Sequence, residues 1–223
     1  MKEFIMNSIQ DIKCVVLADK REIHLKDEDD ISISMISKGE ALFHFPIPYP
    51  SLGYDGGALY LSPSEKYLLF PYYSGQSEEA FTLFRISDTF ELVYQSDYLG
   101  GEAASYSFSK DEKMLIQCLP YTCSEWWQYW EDEEPEKDED GKLFFDFGNI
   151  NLLDIEKQLL NKHIIRIYPA EDWQPEKEKY FPFMSPKMIN DNRLKISMPW
   201  GEETLDFPMK DLIIFEQKNE PVR

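Results

Sequence analysis

Three tryptophans crowd into one short segment, Trp126, Trp127 and Trp130, and four acids follow at once, Glu131-Asp132-Glu133-Glu134. Indole rings carry a large apolar area with one polar edge. Such a cluster suits a stacking platform for sugars or an anchor patch for a protein partner. The adjacent carboxylates would steer a cationic partner toward it. The same composition also suits a short cap that tucks its indoles onto neighbouring elements. Thr122-Cys123-Ser124-Glu125 has the form of a capping box and Pro135 is a stop, which predicts a short helix between them. The expected partner-binding residues are Trp126, Trp127, Trp130, Glu131, Asp132 and Glu133, and the expected partner is a basic protein.

Other chemistry is weaker on the page. Glu136-Lys137-Asp138-Glu139-Asp140-Gly141-Lys142-Leu143 has the alternating acids and turn glycine of half a calcium loop. Phe147 stands where the closing bidentate acid belongs, so a solvated acidic loop at Asp138 and Asp140 is the expectation. Cys118 and Cys123 resemble half a zinc site, but no second pair follows, and His24, His44 and His163 are scattered. With Cys14 they read as free thiols of a reducing compartment, and neither a metal nor a cofactor is expected. His24 and His163 fall in strand-like apolar segments and read as structural. Nucleophile elbows, phosphate loops and H-E-x-x-H patterns are absent. Asp55 beside Gly56-Gly57, and Glu102 beside Gly100-Gly101, are the acids through which a hydrolase of a sugar or small polar substrate would work, on turns that allow close backbone approach.

Charge narrows the partners. The 223 residues hold 42 acids against 23 bases, a net charge of −19. Nucleic-acid binding needs cations that release phosphate counterions, and no Lys/Arg cluster exists to supply them. Anionic membranes are disfavoured by the same field. No apolar run reaches the roughly 18 residues of a spanning helix, and the start, Met1-Lys2-Glu3-Phe4-Ile5, lacks a continuous apolar leader. These features predict a cytoplasmic protein. Aromatics at 15% supply ample material for a packed core.

The elements that must position these residues recur along the chain. Leu61-Ser62-Pro63-Ser64-Glu65-Lys66-Tyr67-Leu68-Leu69 aligns without gaps on Phe108-Ser109-Lys110-Asp111-Glu112-Lys113-Met114-Leu115-Ile116, 47 residues on. Thr82 to Leu92 aligns on Asn151 to Asn161, 69 residues on. The difference of 22 marks an insertion, and it falls near residues 122–142, where the composition changes. Fainter copies are Leu17-Ala18-Asp19-Lys20-Arg21-Glu22-Ile23, and Met184-Ser185-Pro186 running into Asn192-Arg193-Leu194-Lys195-Ile196 with a longer turn. Tyr67 to Tyr73, Ala80 to Ile86, Leu92 to Ser96, Lys113 to Leu119 and His163 to Tyr168 are short, rich in aromatic and β-branched residues, and bounded by turn formers. Residues 151–162 also carry helical spacing at Leu152, Ile155 and Leu159, but the match to the second unit favours strand, turn, strand.

Ser62-Pro63-Ser64-Glu65-Lys66-Tyr67-Leu68-Leu69-Phe70, followed by Phe84-Arg85-Ile86-Ser87-Asp88, resembles the blades of WD-repeat and TolB-like β-propellers. The chain departs from the WD-repeat pattern in lacking the Gly-His and Trp-Asp dipeptides. The resemblance implies a fold and no activity. The expectation is a single all-β domain of about four propeller-like antiparallel sheets, closed or open. Its units span approximately 5–50, 51–97, 98–169 and 170–216, with one short helical and acidic insertion. Its expected role is a non-catalytic interaction module, of inhibitor or immunity type.

Overall fold

A computed structural model of the chain describes residues 2–5, 13–27, 31–46, 58–73, 79–97, 99, 104–120, 136–168, 185–198 and 201–216. Every regular element among them is a strand. The chain divides into two compact units, Met1–Leu99 and Gly100–Arg223.

The first unit holds β1 (Lys2–Ile5), β2 (Lys13–Val16), β3 (Glu22–Asp27), β4 (Ile31–Ser37), β5 (Glu40–Pro46), β6 (Ala58–Leu61), β7 (Tyr67–Tyr73), β8 (Glu79–Ile86) and β9 (Phe90–Gln95). They form two antiparallel sheets, β2-β3-β4-β5 and β1-β6-β7-β8-β9. One core joins the sheets: Val15, Leu17, Ile23 and Met35 from the first meet Leu59, Leu61, Leu68, Phe70, Ala80, Phe84 and Phe90 from the second. Burying a side chain the size of Phe70 or Phe84 contributes about 1.5–3 kcal/mol.

The second unit holds β10 (Ser105–Phe108), β11 (Met114–Pro120), β12 (Phe145–Asp154), β13 (Leu159–Tyr168), β14 (Pro186–Asn190), β15 (Arg193–Met198), β16 (Gly201–Asp206) and β17 (Leu212–Glu216). One sheet runs β10-β11-β12-β13-β17, with β17 parallel to β13, and the other runs β14-β15-β16. Ile116, Cys118, Phe147, Ile150, Ile165 and Ile213 of the larger sheet pack on Leu194, Ile196 and Met198 of the smaller. None of the four sheets closes on itself. Residues 151–162 are strand, a turn over 155–158, and strand, so tertiary pairing settles the competition with helical spacing.

Central strands are apolar without alternation because both of their faces are covered. Leu68, Leu69 and Phe70 are consecutive and fully buried, as are Leu115, Ile116, Gln117, Cys118 and Leu119. A run that hides its strand period in this way is easily misread as helix.

The repeated Ser-turn-Glu-Lys segment is one backbone device made twice. The Ser62 amide donates to the Tyr67 carbonyl at 3.0 Å, and the Ser62 hydroxyl accepts the Tyr67 amide at 3.1 Å. Ser109 and Met114 make the same pair at 2.9 and 2.9 Å. Glu65 and Glu112 each donate their amide back to that serine's carbonyl, at φ of +61° and +55°. The Ile86 amide donates to the Lys66 carbonyl, and Ile155 donates to Lys113. The first copy is a residue shorter: Leu17 bonds Arg21, and Lys20 takes the left-handed position at +70°.

The fourth copy is corrected. Pro186 opens β14, an allowed strand position for proline. The turn is formed later, at residues 191 and 192, where the Asn192 amide donates to Asn190 Oδ1 at 2.9 Å. Asparagine side chains bond their own backbone readily, and Ser185-Pro186 does not compete.

Candidate functional site

Trp126, Trp127, Trp130, Glu131, Asp132 and Glu133 lie outside the described residues, as does the helix expected between Thr122 and Pro135. No helix occurs among the described residues. Asp55, Gly56, Gly57, Gly100, Gly101 and Glu102 also lie outside them. The structure does describe the C-terminal foot of the insertion, residues 136–143, where the acidic segment joins β12.

That foot is a tight hairpin. Lys137 bridges Leu143, the Phe144 amide donates to the Glu136 carbonyl at 3.0 Å, and the Asp138 amide donates to the Lys142 carbonyl at 3.0 Å. Asp138 Oδ1 accepts the amides of Lys142 at 2.8 Å and Asp140 at 3.0 Å. The Lys142 amide, the Tyr168 hydroxyl and the Lys142 charge hold the Asp138 carboxyl below the ordinary carboxylate range. Gly141 supplies the left-handed residue at φ +79°. The Asp138 carboxylate, which a calcium loop would turn toward the ion, is committed to closing its own turn. No group of three or more His, Cys, Asp or Glu side chains suited to a metal occurs among the described residues.

A clamp of aromatic and cationic groups fixes this hairpin to β13. Arg166 reaches Asp146, its register partner on β12, with contacts of 2.8 and 3.3 Å. Its guanidinium carbon lies 3.5 Å from the centroid of the Phe144 ring. The bond to Asp146 raises the Arg166 pKa further above its already high value. Lys142 Nζ stands 4.5 Å from the centroid of Tyr168 and 3.0 Å from Glu216 Oε1 on β17. Burial, and then the bond to Asp138, raises the Tyr168 pKa. Phe144 and Tyr168 are 6.1 Å apart. Phe147 sits at a register shift beside Asp146 and is buried in the second core, an apolar role in place of the missing ligand acid.

None of Phe144, Arg166 and Tyr168 was singled out from sequence. Their only local signal is the alternation of Arg166 and Tyr168 on one face of β13. Arg166 and Lys142 are each matched to a carboxylate, Asp146 and Glu216, and the arrangement holds a loop in place.

Cysteine and histidine fall as follows. Cys118 is fully buried, and desolvation pushes its thiol far up. Cys123 lies outside the described residues. His163 is buried with Nδ1 2.8 Å from the Lys210 carbonyl, a structural role. His24 Nε2 is 2.8 Å from Glu22 Oε2, an acid partner two residues away that sequence inspection overlooked. His44 belongs to β5. No helix among the described residues is long and apolar enough to cross a membrane.

No protein-family model matches the chain, and no curated protein matches it. Solved structures do. An uncharacterised protein of Listeria monocytogenes EGD-e aligns over 91% of this chain and 57% of its own, at 9% identity and a TM-score of 0.45. The hydrazine synthase of Kuenenia stuttgartiensis aligns over 86% and 63%, at 12% identity and 0.38. The U3-55K protein aligns over 94% and 65%, at 13% identity and 0.30. The chain therefore spans less than two thirds of each of these structures.

Proposed function

We propose that the chain is a non-catalytic, propeller-like interaction module of the cytoplasm that binds a basic protein through the insertion around Trp126, Trp127 and Trp130. The clamp at the insertion's foot carries this reading: Arg166, Asp146 and Phe144, with Lys142, Tyr168 and Asp138, fix the described end of a segment of unusual composition, residues 136–143, to β12 and β13. A loop held at its base loses less entropy on docking than a free one. The net charge of −19 favours a cationic partner and accelerates its encounter. Four sheets built mostly of sequence-consecutive antiparallel strands, three of them with the same turn between two of their strands, support the propeller-like reading.

The test is capture from lysate at low and physiological salt with the intact chain and with Trp126, Trp127 and Trp130 all changed to Ala. The expected result is a basic protein held by the intact chain, lost in the variant, and associating more slowly as salt rises. Capture of the same proteins by both chains, or an on-rate indifferent to salt, refutes the proposal.

A further inference from the structure

The last strand of the second unit is attached differently from its neighbours. Residues 207–211 lead from β16 of the smaller sheet to β17, which joins β13 in parallel and is the outer strand of the larger sheet among the described residues. Parallel pairs are slightly less stable per residue than antiparallel ones, and an edge strand is bonded on one side only. Of the residues of β17 only Ile213 is buried; Phe215 is half-buried against the second core, and Ile214 is 53% exposed. Segments with few buried apolar contacts open locally before a whole domain unfolds.

A continuous set of contacts joins this strand to the hairpin at residues 136–143. Glu216 is the register partner of Tyr168, and its Oε1 lies 3.0 Å from Lys142 Nζ. Lys142 Nζ in turn stands 4.5 Å from the centroid of the Tyr168 ring. The Tyr168 hydroxyl donates to the Asp138 carboxylate, and that carboxylate accepts the Lys142 and Asp140 amides. Glu216 on β17 is thereby linked through Lys142 and Tyr168 to the group that closes the hairpin. Lys142 and Glu216 are half-exposed or more, so their ion pair is a weak link alone, and Tyr168, beside both residues, completes it. At the start of β17 the Ile164 amide donates to the Asp211 carbonyl at 2.7 Å, a bond that breaks when the strand leaves.

We propose that β17 is a latch on the insertion: the hairpin at its foot opens through a state in which β17 has left β13. Release of this one strand then loosens the base of the segment that carries Trp126, Trp127 and Trp130. The consequence for docking rests on the insertion being the binding segment, whereas the coupling is a property of the free chain.

The experiment is amide hydrogen exchange, read by NMR on the full chain without a partner, intact and with Ile213→Val or Glu216→Gln. Ile164 reports β17; Asp138, Lys142 and Phe144 report the hairpin; Ile116, fully buried in β11, reports global opening. In the intact chain Ile164 should exchange faster than Ile116. Ile213→Val removes one buried methyl group and should speed Ile164 by about two- to tenfold, with the hairpin amides following by the same factor. Glu216→Gln leaves the core untouched and should speed the hairpin amides by about two- to fivefold. Hairpin amides that ignore Ile213→Val while Ile164 responds overturn the latch, and so does an Ile164 amide as slow as Ile116 in the intact chain. A response of the hairpin to Glu216→Gln without one to Ile213→Val marks a local contact only and overturns it too. Partner capture indifferent to the tryptophans would refute the binding reading and leave these rates as they are; unresponsive hairpin rates refute the latch and leave the binding reading.

Discussion

Glu65 occupies a left-handed position that glycine would fill more easily, but its side chain makes a bond that glycine could not. Glu65 Oε2 accepts the Ala18 amide at 2.8 Å, tying the second sheet's first turn to the equivalent turn of the first sheet. A charged acceptor on an exposed backbone amide contributes about 1 kcal/mol. Its backbone, at φ +61°, costs a residue with a Cβ about 1 kcal/mol relative to glycine. Glu65→Ala loses the bond and keeps the strain, so it should destabilise by about 1 kcal/mol. Glu65→Gly loses the bond and relieves the strain, so its net change should be within about 0.5 kcal/mol of zero. All five tryptophans lie beyond residue 100, so their fluorescence reports the second unit. The first unit is better followed by far-UV circular dichroism in urea and by amide hydrogen exchange. Ala18 exchange should speed up in both variants while only the alanine variant loses stability. Equal losses in the two variants, or an Ala18 amide unmoved by either, would refute the account of the turn.

Ser62→Ala and Ser109→Ala each strand a backbone amide, that of Tyr67 in a buried turn and that of Met114 in a partly buried one, and should cost about 1 kcal/mol in urea denaturation. Arg166→Lys removes the paired contacts to Asp146 and the stack on Phe144; a loss of about 1 kcal/mol and faster exchange of the Lys142 amide should follow. Three turn carboxylates are held below their ordinary value by hydrogen bonds: Asp19 by the Arg21 side chain, Asp111 by the Ser109 hydroxyl and Asp154 by Lys157. Depressed folded values mean stability that is fully present above the ordinary carboxylate pKa of about 4 and lost as pH falls through the folded values. Urea midpoints should therefore be flat from pH 7 to 5 and drop below about pH 4, and Asp111→Asn should shallow that drop.

Turns and strands were legible because their causes are local. Ser-x-x-Glu-Lys, recurring at 47 residues, specifies a left-handed residue three places after a hydroxyl that can bond the amide five places on, and both copies fold that way. The strand runs from Tyr67, from Ala80 and toward Tyr168 could be placed from branched and aromatic content alone. Pro186 misled because proline serves equally in a turn and at the start of a strand, and only the pairing of β14 with β15 separates the two.

What remained hidden depends on partners far along the chain. Glu65 meeting Ala18 joins turns of two different sheets, and Arg166 meeting Asp146 is a matter of register, which a slip of one residue would undo by sending the side chain to the opposite face. Composition and local propensity thus determined by themselves that this chain makes short strands joined by recurring turns, and that it carries a strongly negative charge. Sheet assembly alone decided which side chains share a face, because neighbours across a sheet are chosen by long-range pairing that local sequence does not encode.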